Sequence, residues 1–169
     1  MTDVRRRFAR YRVRLGFVAA AVGLWLATPS WRSLAIGGAI ALVGEAIRVW
    51  AAGHLEKSRE VTASGPYRFT RHPLYLGSAI IGVGFAVAAG SAIVAAIVAI
   101  YLAVTLTSAI RSEEKHLTDK FGGAYPAYRE GVAPEMRRRF SAARAISNRE
   151  HRAIAGLAAA LALLVWKAL

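Results

Sequence analysis

Two short stretches of this sequence gather side chains that could do chemistry together. The first is Arg71-His72-Pro73-Leu74-Tyr75-Leu76-Gly77, with Gly65-Pro66-Tyr67 just ahead of it. The second is Arg111-Ser112-Glu113-Glu114-Lys115. Pro73 suits the first turn of a helix, where its missing N–H costs nothing. His72 and Tyr75 then lie one turn apart at that helix's N-terminus. Such an end offers free amide N–H groups and partial positive charge to a carboxylate or phosphate. Glu113 and Glu114 are poorly suited to a helix C-terminus. In a helix that runs on past Ile110 they point about 100° apart, toward different partners. There they can bind a cation: a sulfonium, an ammonium, or the amino group of an amino-acid-like cofactor. The plain alternatives are an interfacial aromatic and basic belt for the first stretch and a solvated helix end for the second. A belt explains one Tyr and one Arg, but not this density.

Elements that could position these groups are visible in the composition. The chain has 169 residues, 56% of them hydrophobic, yet a formal charge of +13. A soluble domain this basic would point to nucleic acid. One this apolar would need a core larger than a single modest domain can hold. A membrane protein satisfies both, because apolar spans and basic loops are separate parts of the chain. The hydrophobicity excludes a disordered tail. The absence of cysteine excludes a disulfide framework, a thiol nucleophile and a thiolate metal site. No metal site is expected.

Five apolar stretches approach the roughly 20 residues a spanning helix needs. They cover about 15–28, 33–52, 74–89, 91–110 and 153 to the end. A cleaved signal peptide is the rival reading of the first, but no small-residue cleavage site follows and Thr28-Pro29-Ser30 turns straight into another span. Lys167 in the last stretch can snorkel. The expected fold is an all-α polytopic membrane bundle of about five transmembrane helices with a cytoplasmic cofactor site, forming a single membrane domain over 1–169.

Twenty of the 23 basic residues fall on one side of these spans: Arg5, Arg6, Arg7, Arg10, Arg12 and Arg14, four between spans two and three, and ten between spans four and five. By the positive-inside rule that side is cytoplasmic. The N-terminus is then inside, the C-terminus outside, and both long loops cytoplasmic. The opposite loops are too small to hold a site. Within the second span, Glu45 and Arg48 share a helical face and read as a structural ion pair. Small-residue faces such as Gly37-Gly38 with Ala41 can pack within one bundle or between chains, so the oligomeric state stays open.

The motifs carry a resemblance. Gly65-Pro66-Tyr67, Arg71-His72-Pro73-Leu74-Tyr75-Leu76-Gly77, an apolar hairpin, Glu113-Glu114, then Phe121-Gly122, Tyr125 and Tyr128 resemble the isoprenylcysteine carboxyl methyltransferase and phospholipid methyltransferase superfamily. Its members are integral membrane methyltransferases that use S-adenosylmethionine. The resemblance covers about 53–134, the expected methyltransferase core. It implies cofactor contacts at Arg59, Glu60, Val61, Thr62, Tyr67, His72, Pro73, Leu74, Tyr75 and Glu113. His72 and the following amides would take the methionyl carboxylate, and Glu113 its amino group. Glu114 and Arg71 are the candidates for acceptor orientation or proton removal. Gly82 and Gly84 match a Gly-x-Gly implicated in cofactor binding in the phospholipid branch; close helix packing is the equal alternative.

Two departures stand out. Carboxyl methyltransferases carry a basic residue upstream of the acids that meets the substrate carboxylate. Here that position is Ala109, and Arg111 is its candidate substitute for substrate binding. The fifth span lies beyond the shared core. The resemblance implies a lipophilic acceptor entering from the bilayer: an isoprenoid carboxylate, a phospholipid amine or a related lipid. No nucleic-acid partner is expected. The Ala- and Arg-rich composition suggests a bacterial inner membrane. Two other readings fit parts of the chain. A membrane reductase with a nicotinamide cofactor shares an Arg-His-Pro-x-Tyr element, although adjacent acids would repel a phosphorylated nicotinamide. A non-catalytic lipid-binding module would use the run Arg137-Arg138-Arg139.

Overall fold

A computed structural model describes residues 16–134 and 136–169. The expected topological role of Arg5, Arg6, Arg7, Arg10, Arg12 and Arg14 lies outside the described residues, as does position 15 of the first span. All regular structure among the described residues is helical. The helices are α1 (Gly16–Leu26), α2 (Trp31–His54), α3 (Pro73–Ala89), α4 (Ala92–Phe121), α5 (Ala124–Arg129), α6 (Ala142–Ser147) and α7 (Glu150–Ala168), with a 3₁₀ turn at Gly65–Arg68. Helices α2, α4 and α7 are long and apolar enough to cross a membrane, and α1 and α3 are shorter apolar helices. The chain is an integral membrane protein built as a helix bundle. Its exposed apolar side chains, among them Phe17, Leu42, Val43, Ile100 and Val104, suit contact with lipid.

The small residues of α2 and α3 set the tightest crossing. Gly37 and Ala41 on α2 meet Gly84 and Ala88 on α3, and Gly44 meets Gly77. A Cβ added to Gly84 would lie 2.5 Å from the Ala41 backbone nitrogen. Without side chains the two backbones approach closely enough for dispersion to hold them, which is how helices associate where lipid removes the hydrophobic drive. Of the small-residue face, Gly37 and Ala41 therefore pack inside the chain, whereas Gly38 faces open space.

At one end of the bundle the connections are short. Ser30 caps α2 through Ser33, the Thr28 amide donates to the Ala89 carbonyl at 2.8 Å, and Ser33 Oγ donates to Ala88 O at 3.2 Å. Lys167 Nζ donates to the terminal carbonyls of α1 at Leu24 (2.9 Å) and Trp25 (2.5 Å). The core of Ala27, Leu34, Ala88, Ala89, Val94 and Leu164 lies here. Exposed Trp25, Trp31 and Trp166 ring this end, as aromatic residues do at a membrane interface.

The other end carries both long connections. Helix α4 continues past Ile110 to Phe121 without a break and ends at Gly122, whose φ of 53° closes it. The expected pair of Glu45 with Arg48 is not formed. Arg48 Nε instead donates to Glu150 Oε1 at 2.7 Å, and its Nη1 donates to Ser78 Oγ and, at 3.4 Å, to Leu74 O. Glu150 opens α7, where a negative charge suits the helix N-terminus. It gives Arg48 a better-placed partner than a residue on its own helix can be.

Candidate functional site

The end with the long connections holds a cavity of about 310 Å³, within the range of small-molecule sites. Three segments wall it. The connection after α2 gives Glu60, Val61, Thr62 and Tyr67; the start of α3 gives Tyr75, with Arg71 just before it; the extension of α4 gives Ser112, Glu113 and His116. Tyr125 and Tyr128 on α5 complete it. The α4 extension turns Glu113 toward this space and, about 100° around the helix, Glu114 toward the start of α3.

Glu114 is the hub of a polar cluster beside the cavity. Its Oε1 lies 3.1 Å from His72 Nε2 and 3.5 Å from Arg71 Nη1, and accepts from the Tyr125 hydroxyl at 3.2 Å. The pairing places the imidazole N–H on Nε2. The His72 ring also rests on Tyr75, with centroids 5.8 Å apart. Glu114 thus joins α3, α4 and α5 at the cavity's edge.

The phenols are held as proton donors. Burial, reinforced by the Glu113 carboxylate, pushes Tyr67 well above the ordinary phenol range. Burial and the nearby Glu114 push Tyr125 up to about 12, and burial lifts Tyr128 to about 12. Near neutral pH none of the three is a phenolate, so each can donate a hydrogen bond and none can act as a base.

The first connection is stapled from outside. Arg138 makes a two-pronged pair with Glu60 at 2.5 and 2.9 Å and donates to His54 O. Arg144 pairs with Glu56 at 2.9 Å and donates to Gly53 O at 2.5 Å. Asn148 Nδ2 donates to Ala52 O and Leu55 O, both at 2.9 Å. The last carbonyls of α2 lack partners in their own helix and find them in these side chains. Gly65 sits at φ +57°, and a Cβ there would meet the His54 ring at 2.5 Å. Only glycine fits this turn.

Of the expected site residues, Glu60, Val61, Thr62, Tyr67, Arg71, Tyr75 and Glu113 line one cavity. His72 and Glu114 stand beside it, joined to each other, and Pro73 and Leu74 form the first turn of α3. Arg59 projects away, paired with Glu56 at 3.7 Å. Arg111 is exposed and outside the cavity. Gly82 borders a different, membrane-depth cavity, and Gly84 lies in the α2–α3 crossing. Residues given no role from sequence, His116, Tyr125 and Tyr128, also line the site. Arg138, Arg144 and Asn148 fix its wall. The two tyrosines were visible as a motif; nothing in a single sequence marks the other partners. Among the described residues no group of three or more His, Asp or Glu is arranged to hold a metal.

Comparison with known proteins places this architecture. Residues 11–124 match the phospholipid methyltransferase family. The chain belongs to that family. The family match holds every site residue expected from sequence but stops before Tyr125, Tyr128, Arg138 and α7. The chain is similar to the cobalt-zinc-cadmium resistance protein CzcN of Cupriavidus metallidurans, 29% identical over 69% of this chain and 57% of that protein. It is also similar to the nickel-cobalt-cadmium resistance protein NccN of Alcaligenes xylosoxydans xylosoxydans, 36% identical over 51% of this chain and 40% of that protein. The matched region is therefore a little over half of the first relative's length and two fifths of the second's. No solved structure matches.

Proposed function

We propose that the chain transfers a methyl group from S-adenosylmethionine to a lipophilic acceptor drawn from the bilayer, with the end bearing the cavity on the cytoplasmic side of a bacterial inner membrane. The observation that carries this is the convergence of Glu60, Val61, Thr62, Tyr67, Tyr75 and Glu113 on one cavity at the membrane edge of α3 and α4. A water-soluble cofactor and a lipid-soluble acceptor can meet only at such a boundary.

The residues fit the cofactor. Glu113 offers a carboxylate to an ammonium or sulfonium, and Tyr67 and Tyr75 offer aromatic faces, which attract cations. Tyr67 lines the same space as a protonated phenol, whereas the Tyr125 and Tyr128 hydroxyls already donate to Glu114 Oε1 and to the Tyr67 carbonyl. When bound, S-adenosylmethionine supplies a methyl group whose bond to sulfur breaks as the acceptor's bond to it forms, the thioether leaving with the electron pair. The chain's part is to hold both partners in line and exclude water. Arg71, anchored by Glu114, is placed to orient an acidic acceptor. An acceptor that is already a carboxylate or a free amine brings its own lone pair, so no phenolate base is required. Glu114 is the group available to take a proton where the acceptor carries one.

The test is calorimetric titration of the detergent-purified protein with S-adenosylmethionine. Wild type is expected to bind, and Glu113→Ala to bind at least about tenfold more weakly, the loss of one charge-assisted contact. No binding by wild type overturns the reading. Equal binding by Glu113→Ala overturns the site assignment and leaves the family intact. Mass spectrometry of lipids extracted from membranes given labelled methyl donor identifies the acceptor.

A further inference from the structure

The connection after α2 has a second side. Successive residues of a 3₁₀ turn point about 120° apart. In the turn Gly65–Arg68 this sends Tyr67 into the cavity described above and Arg68 to another face. There Arg68 and Phe69 line a separate groove of about 550 Å³, which shares no lining residue with that cavity.

The groove has an apolar wall and a basic one. Trp50, one turn before the end of α2, and Phe69 form the first, with ring centroids 6.4 Å apart. They are 42% and 81% exposed. A Trp near the end of a spanning helix suits the level of the lipid headgroups. The second wall is Arg137-Arg138-Arg139, which with Arg68 brings four guanidinium groups to one groove. None of its described lining residues is acidic. These arginines are not idle. Arg138 pairs with Glu60 and donates to His54 O, and Arg68 and Arg137 have interactions of their own. Glu135 also precedes the run in the sequence. Set against both Glu60 and Glu135, the four arginines still leave two positive charges in excess. Each guanidinium has five donors, so one that is already paired can still share a phosphate.

We infer that this groove binds an anionic phospholipid, with its phosphate against the basic wall and its acyl chains over Trp50 and Phe69. Guanidinium forks match phosphate oxygens in geometry as well as charge. A head that carries its own ammonium brings a cation to a groove already in positive excess, whereas a head of net negative charge does not. A soluble phosphate would use the basic wall and leave the two exposed rings uncovered. The groove is distinct from the cavity assigned to methyl transfer, and the inference does not rest on that reading.

The test is native mass spectrometry of the full chain, delipidated in detergent and titrated with dioleoyl phosphatidylglycerol or dioleoyl phosphatidylcholine, without methyl donor. Wild type is expected to retain one phosphatidylglycerol at concentrations at least about tenfold below those needed for phosphatidylcholine, since each basic residue near an anionic head is worth roughly fivefold. Arg137→Gln with Arg139→Gln, both at exposed positions, should erase that preference. Arg129→Gln with Arg152→Gln removes the same charge from exposed positions outside the groove and should keep it. Trp50→Ala with Phe69→Ala should weaken retention of phosphatidylglycerol by about tenfold. Equal retention of the two lipids by wild type overturns the proposal. So does a preference that survives the Arg137 and Arg139 variant, or one that the Arg129 and Arg152 variant loses equally, the mark of diffuse charge. Displacement of the lipid by glycerol 3-phosphate at equal concentration marks a site for soluble anions and overturns it too.

Discussion

The Tyr128 hydroxyl donates to the backbone carbonyl of Tyr67 at 2.6 Å, tying α5 across the cavity to the 3₁₀ turn 61 residues earlier. Both residues line the site, so this bond closes one side of it. Tyr128→Phe removes the bond and keeps the ring. Cofactor affinity should fall about five- to tenfold, the worth of one buried hydrogen bond, with no loss of folded protein on size exclusion. Titration calorimetry of the two proteins measures it.

Arg138 acts on the opposite wall. Arg138→Ala leaves Glu60 without its two-pronged partner and frees the connection that carries Val61 and Thr62. The expected result is a several-fold rise in KM for the methyl donor with kcat less affected, because the residue positions the wall and does not touch the reacting atoms. Arg139→Ala, at an exposed neighbouring position, should leave both constants unchanged.

Adjacent glycines in α2 should behave oppositely. A Cβ at Gly37 collides with the backbones of Ala88 and Gly84, which cannot move without parting the helices, whereas at Gly38 it meets nothing. Gly37→Ala is expected to cost about 1–3 kcal/mol and to lower the yield of monodisperse protein. Gly38→Ala should be indistinguishable from wild type. Thermal-shift measurements in detergent separate them.

Alkaline pH should weaken the fold over a defined window. Unfolded phenols ionise near pH 10, but Tyr125 and Tyr128 hold their protons to about 12. The folded state therefore binds protons more tightly between these values. Stability from this source is complete below about pH 10 and declines as pH rises toward about 12. Tyr125→Phe with Tyr128→Phe should flatten that part of an unfolding-against-pH curve.

The sequence was most legible where chemistry and geometry are local. Five apolar runs became five apolar helices, and Pro73 opens α3 as its fixed φ requires. The divergence of Glu113 and Glu114 followed from helical pitch alone. Contacts between distant segments were not legible. Glu45 and Arg48 had the right spacing for a pair, but Glu150, 102 residues away from Arg48, took the guanidinium. Helical periodicity says which face a residue occupies and is silent about what another helix brings there. The run Arg137-Arg138-Arg139 looked like a topology signal. Arg138 also bonds to Glu60 and to the His54 carbonyl at the end of α2, because unsatisfied helix carbonyls recruit donors from anywhere in the chain.

The 30 unbroken residues of α4 form a rod about 45 Å long, against a hydrocarbon layer about 30 Å thick. About a third of it must stand clear of the lipid tails or lean to stay among them. Glu113 and Glu114 ride on the protruding third, whereas Arg71 and His72 are anchored to the much shorter α3. A thinner or thicker bilayer therefore changes the lean of one wall against the other. The length of the surrounding acyl chains becomes a mechanical input to the spacing of the acids from the basic residues they face.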